Sequence, residues 1–362
     1  DAAALQTAVE DARRNEADVP ADVRSWLEER AGADPEQRIL GPVKERGPMN
    51  GLVLRNGYLV AEWGDTEQVD MAFSVTKSFL SAVIGLAVDE GLVPGLEQPV
   101  AALVDDGGYD DPHNASITWE MSLRQTSEWQ GTLFEKSDRA DRRAGADREL
   151  QPPGSFWEYN DVRVNRLALS ALRVWGEPLP DVMDREILSP IGASRTWRWH
   201  GYRNSHVDVG GSEMQSVSGG GHWGGGLWIH SRDLARFGLL YSREGRWRDE
   251  QLLSSEWVRR STAPGDLQPT YGYLWWVNAG RELWPSLPES AYAARGGGGH
   301  VLLVVPTHQL VVVVRWLNGD GRFRLINCWW IIHLWRIGLT WFVVNDRWID
   351  RRRRRRNGRR WI

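Results

Sequence analysis

Residues 73–90 of the 362-residue chain read FSVTKSFLSAVIGLAVDE, the most informative segment for its architecture. A polar turn from Ser74 to Lys77 leads into a mostly apolar run, and Gly91, a residue type that commonly ends helices, follows it. The run is apolar on nearly every helical face, which is typical of a helix buried between layers. We therefore predict a helix from about Ser74 to Glu90 in the interior of the protein.

Ser74 and Lys77 form an S-x-x-K pattern at the start of this predicted helix. Residues three apart share a helix face, so the ammonium can reach the serine hydroxyl. Serine becomes a nucleophile when a base takes its proton, and a lysine whose pKa is lowered can be that base. The 44 basic residues include only three lysines, Lys44, Lys77 and Lys136. A buried structural lysine is costly, which favours catalysis at Lys77, although so short a pattern also occurs by chance.

Strand-forming sequence lies near both ends of the chain. Two apolar runs flank Asn56-Gly57, a pair that favours a two-residue hairpin because both turn positions need a positive φ. The β-rich runs are residues 51–63, 271–278, 301–305 and 310–317. We expect an α+β protein of the α/β-sandwich type, in which helices flank an antiparallel sheet built from both chain ends.

This pattern divides the chain into two regions. Residues 1–92 and 266–362 are predicted to form a discontinuous sheet domain. Residues 93–265, where helical patterns alternate with Gly- and Pro-rich connections, are predicted to form an inserted, mostly helical domain. The active site is expected between the two domains.

The C-terminal segment combines apolar and basic sequence. Residues 325–344 are nearly all apolar, and we interpret them as a packed final helix rather than a membrane span, because Arg336 at the centre is costly in a bilayer. Residues 345–362 include eight arginines from Arg351 onward and are predicted to be a disordered basic tail.

Two further features offer useful chemistry. Tyr159, in FWEYNDVRVN, can pass protons between a nucleophile and a leaving group if an ammonium holds its phenol partly as phenolate. The run from Ala294 to Gly299 precedes a strong strand, and glycines there let a ligand approach backbone amides that stabilise an oxyanion. Each has an ordinary alternative: a half-buried aromatic for Tyr159, and a loop entering a strand for the glycines.

Taken in chain order, these motifs resemble the serine β-lactamase and penicillin-binding-protein-like superfamily, in the branch with class C β-lactamases, β-lactamase-like esterases and 6-aminohexanoate-dimer hydrolases. The resemblance covers about residues 48–318. The motifs that carry it are FSVTKSF (73–79), DEGLV (89–93), LRQTSEW (123–129), PPGSFWEYNDVRVN (152–165), GGGHWGGGLWIHSRDLARFG (219–238) and ARGGGGHVLLVVP (294–306).

The resemblance implies a role for each matching residue. Ser74 is the expected acylated nucleophile, with Lys77 and Tyr159 as its proton-transfer partners. The backbone amides of Ser74 and Gly297 are the expected oxyanion hole. Which of Lys77 and Tyr159 takes the serine proton stays open, and no cofactor is implied.

The chain departs from the family pattern at two positions. Ala294-Arg295-Gly296 stands where penicillin-recognising members carry Lys-Thr-Gly or His-x-Gly, and Asp161 stands for the asparagine of Y-x-N. We expect Asp161 to repel a substrate carboxylate, with Arg295 offsetting that charge. A small ester or amide is therefore the expected substrate. The alternatives are hydrolysis of a β-lactam or a D-Ala-D-Ala peptide, and a non-catalytic member that binds peptides.

Substrate contacts are expected from residues of these same motifs. His222 and Trp223 lie between two glycine triplets and are expected to line the cleft, with a glycine-rich structural turn as the alternative. The full set of predicted substrate-binding residues is Asp161, Trp223, His222, Arg295, Gly296 and Trp129.

Charge and composition exclude several function classes. The net charge is −4, and without the arginine-rich end the body carries 36 basic against 48 acidic residues, about −12, which argues against nucleic-acid binding. No H-x-x-x-H pattern or cysteine pair occurs, so we expect no metal site. No signal sequence is visible, which leaves a cytoplasmic or an exported location open, as is the oligomeric state.

Overall fold

A computed structural model describes residues 2–318, 341–344 and 347–350. The helices are α1 (Ala2–Arg14), α2 (Val23–Ala31), α3 (Thr76–Asp89), α4 (Trp119–Leu123), α5 (Asp161–Trp175), α6 (Leu179–Met183), α7 (Ser231–Ser242) and α8 (Ser255–Ser261). The strands are β1 (Asn50–Arg55), β2 (Tyr58–Trp63), β3 (Asp70–Met71), β4 (Thr132–Leu133), β5 (Lys136–Ser137), β6 (Arg198–Val209), β7 (Ser212–Val217), β8 (Gly226–Ile229), β9 (Arg246–Trp247), β10 (Glu250–Gln251), β11 (Trp276–Val277), β12 (Tyr292–Gly296), β13 (His300–Val305), β14 (Leu310–Arg315), β15 (Trp341–Val344) and β16 (Arg347–Asp350).

The principal sheet confirms the predicted α+β class. It has six strands in the order β11-β12-β13-β14-β1-β2, and each pair is antiparallel. The N-terminal hairpin β1–β2 therefore pairs with strands from residues 276–315, because β1 lies beside β14. The hairpin turn has positive φ at Asn56 (53°) and Gly57 (75°), which explains the Asn-Gly sequence there.

Helix α3 is buried as the apolar pattern predicted. Its residues from Thr76 to Ala87 are inaccessible to solvent, and Phe79 stacks on Phe237 of α7 with ring centroids 3.8 Å apart. Helix α7 packs on the principal sheet, and α5 packs on the other side of α3. The largest hydrophobic core lies between these layers. Helix α3 therefore lies in the interior of the fold, in contact with both α5 and α7.

The middle of the chain differs from the mostly helical domain that we expected. Strands β6, β7 and β8 join β3 in a second antiparallel sheet, ordered β3-β8-β6-β7. Helix α7, also from the middle region, packs against the principal sheet rather than within an inserted domain. The glycine-rich sequence that precedes residue 226 reads as loop in isolation, but long-range pairing with β3 and β6 makes the following residues a strand.

The C-terminal predictions fall mainly outside the described residues. Of the predicted packed helix, only β15 is described, and there the prediction is wrong, because these four residues form a strand that pairs with β16. Strand β16 likewise contradicts the predicted disorder over its four residues, and the run from Arg351 lies outside the described part. Among the residues described, no helix combines the length and apolar character that crossing a membrane requires.

Candidate active site

The residue before the predicted nucleophile has a strained backbone. Phe73 has a φ of 47°, a left-handed conformation that bulky residues rarely adopt, and it begins a short 3₁₀ turn that runs from Phe73 to Val75. Ser74 therefore lies in this turn, just before α3, rather than in the first turn of the α-helix as we predicted. Phe73 and Ser74 both line a cavity.

Ser74, Lys77 and Asp161 form a continuous chain of polar contacts. The Lys77 ammonium donates to Ser74 Oγ over 2.9 Å and to Asp161 Oδ1 over 2.6 Å. Asp161 is the first residue of α5, whose N-terminus is capped by the Asn160 side chain. Lys77 and Asp161 are 1% and 2% exposed, so their ion pair is shielded from water. The sequence-predicted pair Ser74–Lys77 is thus brought together, with a carboxylate as its third member.

Tyr159 lies against the same hydroxyl. Its phenol is in hydrogen-bonding contact with Ser74, and the Lys77 ammonium lies 4.6 Å from its ring centroid. Burial and the nearby Asp161 carboxylate raise the pKa of the Tyr159 phenol, and this outweighs the contact with Ser74. Burial and the Asp161 carboxylate therefore both disfavour the partly ionised phenolate that we expected.

Burial alone would raise the pKa of Asp161, but the Lys77 ammonium and the neighbouring His222 outweigh it and hold that pKa well below its usual range. Asp161 is consequently an ionised partner of Lys77. Its charge is balanced by Lys77 and its side chain is 2% exposed, which weakens the repulsion of a substrate carboxylate that we expected.

The glycine run at the end of β12 lies beside the nucleophile. A Cβ on Gly296 would overlap the Ala72 carbonyl oxygen, and a Cβ on Gly297 would be 3.7 Å from the Phe73 ring. Glycine is therefore required at position 296 for this strand to approach the turn that carries Ser74, whereas the contact at Gly297 is an ordinary one. The approach brings the Gly296–Gly297 backbone against Ala72 and Phe73, the two residues that precede Ser74.

A cavity of about 800 Å³ contains these groups. Its lining includes predicted residues of the site, namely Ser74, Tyr159, Asp161, His222, Trp223, Arg295, Gly296 and Gly297. Trp129 is not among the lining residues, and that prediction is wrong: the indole is buried and its nitrogen donates to the Gly108 carbonyl over 2.8 Å. Trp223 is itself 1% exposed and forms packed wall, with its indole nitrogen donating to Gln37.

The sequence did not reveal the N-terminal wall of the cavity. Trp26, on α2, packs edge-on against Phe73 with ring centroids 6.1 Å apart, and Leu27 lies next to it. Trp276, on β11, faces the cavity from the principal sheet and stacks on Tyr159 at 5.8 Å. No local sequence pattern identifies Trp26, Leu27 or Trp276 as cavity residues, because only tertiary packing brings them to the site.

The sequence also missed a cluster of charged groups beside Asp161. Asp141 Oδ2 accepts from the Asp161 backbone amide over 2.7 Å, and His222 Nδ1 lies 3.5 Å from Asp161 Oδ2 and 3.9 Å from Asp141 Oδ1. Burial and the Asp161 carboxylate raise the pKa of Asp141. Residues 138–143, DRADRR, have a pattern that is typical of an exposed charged segment, so the local sequence does not distinguish Asp141 from its neighbours.

The cluster has the ligand types of a metal site. One atom each of Asp141, Asp161 and His222 lies within 4.8 Å of the others. Two cations already balance the carboxylates, because Lys77 is 2.6 Å from Asp161 and Arg143 is 3.4 Å from Asp141. A divalent cation would be repelled by both, so we interpret the cluster as a hydrogen-bonded charge network.

Comparison with known proteins agrees with this geometry. The family model described as Beta-lactamase matches residues 52–332. The chain belongs to the Beta-lactamase family. Members of that family are serine hydrolases, and the resemblance stated from the sequence motifs is confirmed.

Individual relatives are distant. An uncharacterized protein of Alkalihalophilus pseudofirmus is 23% identical over 305 residues, which cover 75% of this chain and 83% of that protein. A Bacillus anthracis structure provisionally described as a 6-aminohexanoate-dimer hydrolase is 19% identical, with a TM-score of 0.58 and 80% of each chain covered. A D-stereospecific amidohydrolase from Streptomyces is 16% identical, with a TM-score of 0.57, and covers 91% of this chain and 99% of its own. At these identities the structural matches demonstrate the fold of the Beta-lactamase family.

Proposed function

We propose that this chain is a serine hydrolase that cleaves a small ester or amide through an acyl-enzyme on Ser74. The observation that carries the proposal is the contact of Lys77 Nζ with Ser74 Oγ at 2.9 Å, inside a cavity where Tyr159 touches the same hydroxyl. A buried lysine on a serine is expensive as a structural device, and it is what nucleophile activation requires.

Acylation then follows from the positions of these groups. Ser74 Oγ attacks the carbonyl carbon, and its proton passes through Tyr159 and Lys77 to the leaving oxygen or nitrogen. The backbone amides of Ser74 and Gly297 stabilise the oxyanion. Water afterwards cleaves the Ser74 ester, which releases the acid and restores the serine.

The lining of the cavity favours a substrate that is partly apolar. Trp26, Phe73 and Trp276 offer aromatic surface, while Arg143 and Arg295 bring two guanidiniums to the same space. Burial lowers the pKa of Arg295, partly offset by Tyr159, and its guanidinium carbon lies 4.8 Å from the Trp276 ring centroid.

A second candidate is hydrolysis of a β-lactam or a related D-amino-acid peptide. The observation in its favour is the Lys77–Asp161 ion pair, which removes the repulsion that an unpaired Asp161 would exert on a substrate carboxylate. The two guanidiniums of the cavity are compatible with such a carboxylate.

A substrate panel tests the proposal and ranks the candidates. Short-chain p-nitrophenyl esters, 6-aminohexanoate dimer and nitrocefin are compared on the wild-type chain and on Ser74→Ala. We expect the esters to be hydrolysed fastest and Ser74→Ala to lose the turnover. Turnover that survives Ser74→Ala contradicts the mechanism, and a nitrocefin efficiency above the others selects the second candidate.

A further inference from the structure

The cavity around Ser74 is larger than the proposed chemistry needs. Its volume of about 800 Å³ lies in the range of sites that hold drug-sized ligands. Ser74 and Tyr159 line one part of it. Another part is lined by residues near the N-terminus, which we call the N-terminal wall, namely residues 17–19 and Trp26, Leu27, Arg30 and Ala31 of α2. The proposed chemistry gives this wall no role.

The N-terminal wall lies outside the residues that the family model matches, because that match begins at residue 52. Hydrogen bonds nevertheless hold it beside the glycine run at the end of β12. The Ala17 amide donates to the Trp316 carbonyl over 2.7 Å, and the Leu317 amide donates to the Gly299 carbonyl over 3.1 Å. The wall therefore adds a fixed surface to a cavity whose catalytic residues lie within the matched region.

Helix α2 contributes one of its sides to the cavity. Trp26 and Leu27 lie one turn before Arg30 and Ala31, so these four residues are neighbours on the helix surface. Trp26, Leu27 and Ala31 are half-buried, whereas Arg30 is exposed, with its guanidinium carbon 5.0 Å from the Trp26 ring centroid. The apolar members of this side are thus the more enclosed ones, and the charged member lies nearer to solvent.

Phe73 connects the N-terminal wall to the nucleophile. The Trp26 ring packs edge-on against the Phe73 ring with centroids 6.1 Å apart, and Phe73 directly precedes Ser74. Both aromatic residues line the same cavity as Ser74. An apolar chain attached to a carbonyl at Ser74 can therefore follow aromatic surface from Phe73 to Trp26 within the cavity.

The proton path of the proposed function indicates which half of the substrate takes this direction. The leaving oxygen or nitrogen receives its proton from Tyr159 and Lys77, which both contact Ser74 Oγ. The leaving group consequently belongs beside Tyr159, whose ring stacks on Trp276 at 5.8 Å. The acyl group, on the other side of the scissile bond, is then assigned to the part of the cavity lined by Phe73 and the N-terminal wall.

We infer that the N-terminal wall binds the acyl half of the substrate and selects a medium-length apolar acyl chain. This inference rests on the proposed function and names its substrate class: esters or amides of such acids. Methylene groups that pack against Phe73, Trp26 and Leu27 are removed from water, and each adds to binding. An acetyl group has no methylene group to bury there.

A chain-length series tests the inference. We compare kcat/KM for p-nitrophenyl acetate, butyrate and octanoate, which share one leaving group. In the wild type kcat/KM should rise at least about tenfold from acetate to octanoate, because methylene groups gain binding in an apolar pocket. The variant Leu27→Trp fills space at the wall, so its kcat/KM for octanoate should fall about tenfold, while that for acetate stays within about twofold.

Leu92→Trp is the matched control, because Leu92 is also half-buried but lies outside the cavity. It should retain the wild-type preference for octanoate. Trp26→Ala, which removes apolar surface instead of adding bulk, should also weaken the octanoate preference. It provides the decisive variant if Leu27→Trp fails to fold and loses acetate turnover as well.

Octyl acetate and methyl octanoate separate the two halves of the substrate, because the octyl chain of the first belongs to the leaving group. Leu27→Trp should impair hydrolysis of methyl octanoate and spare octyl acetate, and the reverse result would overturn the acyl assignment.

The remaining outcomes separate the inference from the function beneath it. A wild type with equal kcat/KM for all three p-nitrophenyl esters would overturn the inference and leave the Ser74 acyl-enzyme intact. Wall variants that fold and keep the full octanoate preference would do the same. A wild type that hydrolyses none of the esters and acquires no acyl group on Ser74 would overturn the proposed function itself.

Discussion

Lys77 occupies a position that arginine cannot fill in a chain that otherwise uses arginine almost throughout. Its ammonium contacts Ser74 and Asp161 and lies over the Tyr159 ring. A guanidinium keeps its charge but does not release a proton near neutral pH. Proton transfer therefore explains why a lysine stands at this position in a chain that contains only three.

The variant Lys77→Arg separates charge from proton transfer. An arginine can still form an ion pair with Asp161, but it cannot accept the proton of Ser74. The kcat for a p-nitrophenyl ester should therefore fall about 100-fold or more. Lys44→Arg is the matched control, because Lys44 is half-buried and donates to the Val69 carbonyl away from the cavity. Full activity of Lys77→Arg would contradict the role of Lys77.

Asp161→Asn tests the buried ion pair through stability. Loss of one partner leaves the Lys77 charge without its carboxylate, which costs about 3 kcal/mol. The folded-state pKa of Asp161 lies below the unfolded value, so its contribution is fully present above about pH 4 and is lost as the pH falls toward the folded pKa. Urea unfolding from pH 8 to pH 3 should show a constant wild-type advantage that shrinks only below about pH 4.

The control for that measurement is Asp110→Asn, at an exposed carboxylate. This substitution should change the free energy of unfolding by less than about 0.5 kcal/mol at every pH. An Asp161→Asn variant as stable as the wild type at pH 7 would contradict the ionised pair.

At the scale of elements, the turn before β8 crosses the Lys77–Asp161 ion pair at Gly220, where there is no room for a side chain. A Cβ on Gly220 would overlap both Asp161 Oδ1 and Lys77 Nζ. In Gly220→Ala the pair must separate or the turn must move, and we expect kcat/KM to fall about 100-fold, as displacements of this size commonly cause. Gly95→Ala, whose added Cβ would meet nothing closer than 3.5 Å, should leave kcat/KM unchanged. Equal activity of the two variants would contradict the described approach.

Helix α2 forms an aromatic wall that should act on binding rather than on chemistry. Removing the Trp26 ring exposes the apolar side of the cavity, so Trp26→Ala should raise KM for a medium-chain p-nitrophenyl ester roughly tenfold with kcat nearly unchanged. Trp175, similarly half-buried but outside the cavity, provides the control Trp175→Ala. A change confined to kcat would contradict the assignment of α2 as a substrate wall.

The sequence predicted the features that depend on residues close together in the chain. The Asn56-Gly57 hairpin, the buried helix after Lys77 and the S-x-x-K contact all follow from short spacings. Of the residues that prediction missed, Trp26 reaches the cavity and Asp141 reaches the Asp161 backbone amide only through tertiary packing. Trp129 was assigned to the site by its motif, but its indole turns into the core to bond Gly108.

At the scale of the whole molecule, the cavity is lined by segments that are far apart in the sequence, between Ala17 and Asn318. Helix α2 near the N-terminus, the turn before α3, His222 from the middle and Gly297 after β12 all line it. The principal sheet makes this possible, because β1 pairs with β14 and so joins the two ends of the fold. Chemistry at the site therefore requires the whole fold, and no short fragment is expected to retain it.

Mass analysis of the trapped intermediate tests whether Ser74 is the acylated nucleophile. The chain is mixed with p-nitrophenyl acetate, quenched in acid within seconds, digested and mapped by peptide mass. We expect one acetyl group per chain, on the peptide that contains Ser74, and none in Ser74→Ala. An acetyl group on another residue, or hydrolysis with no adduct on Ser74, would contradict that assignment.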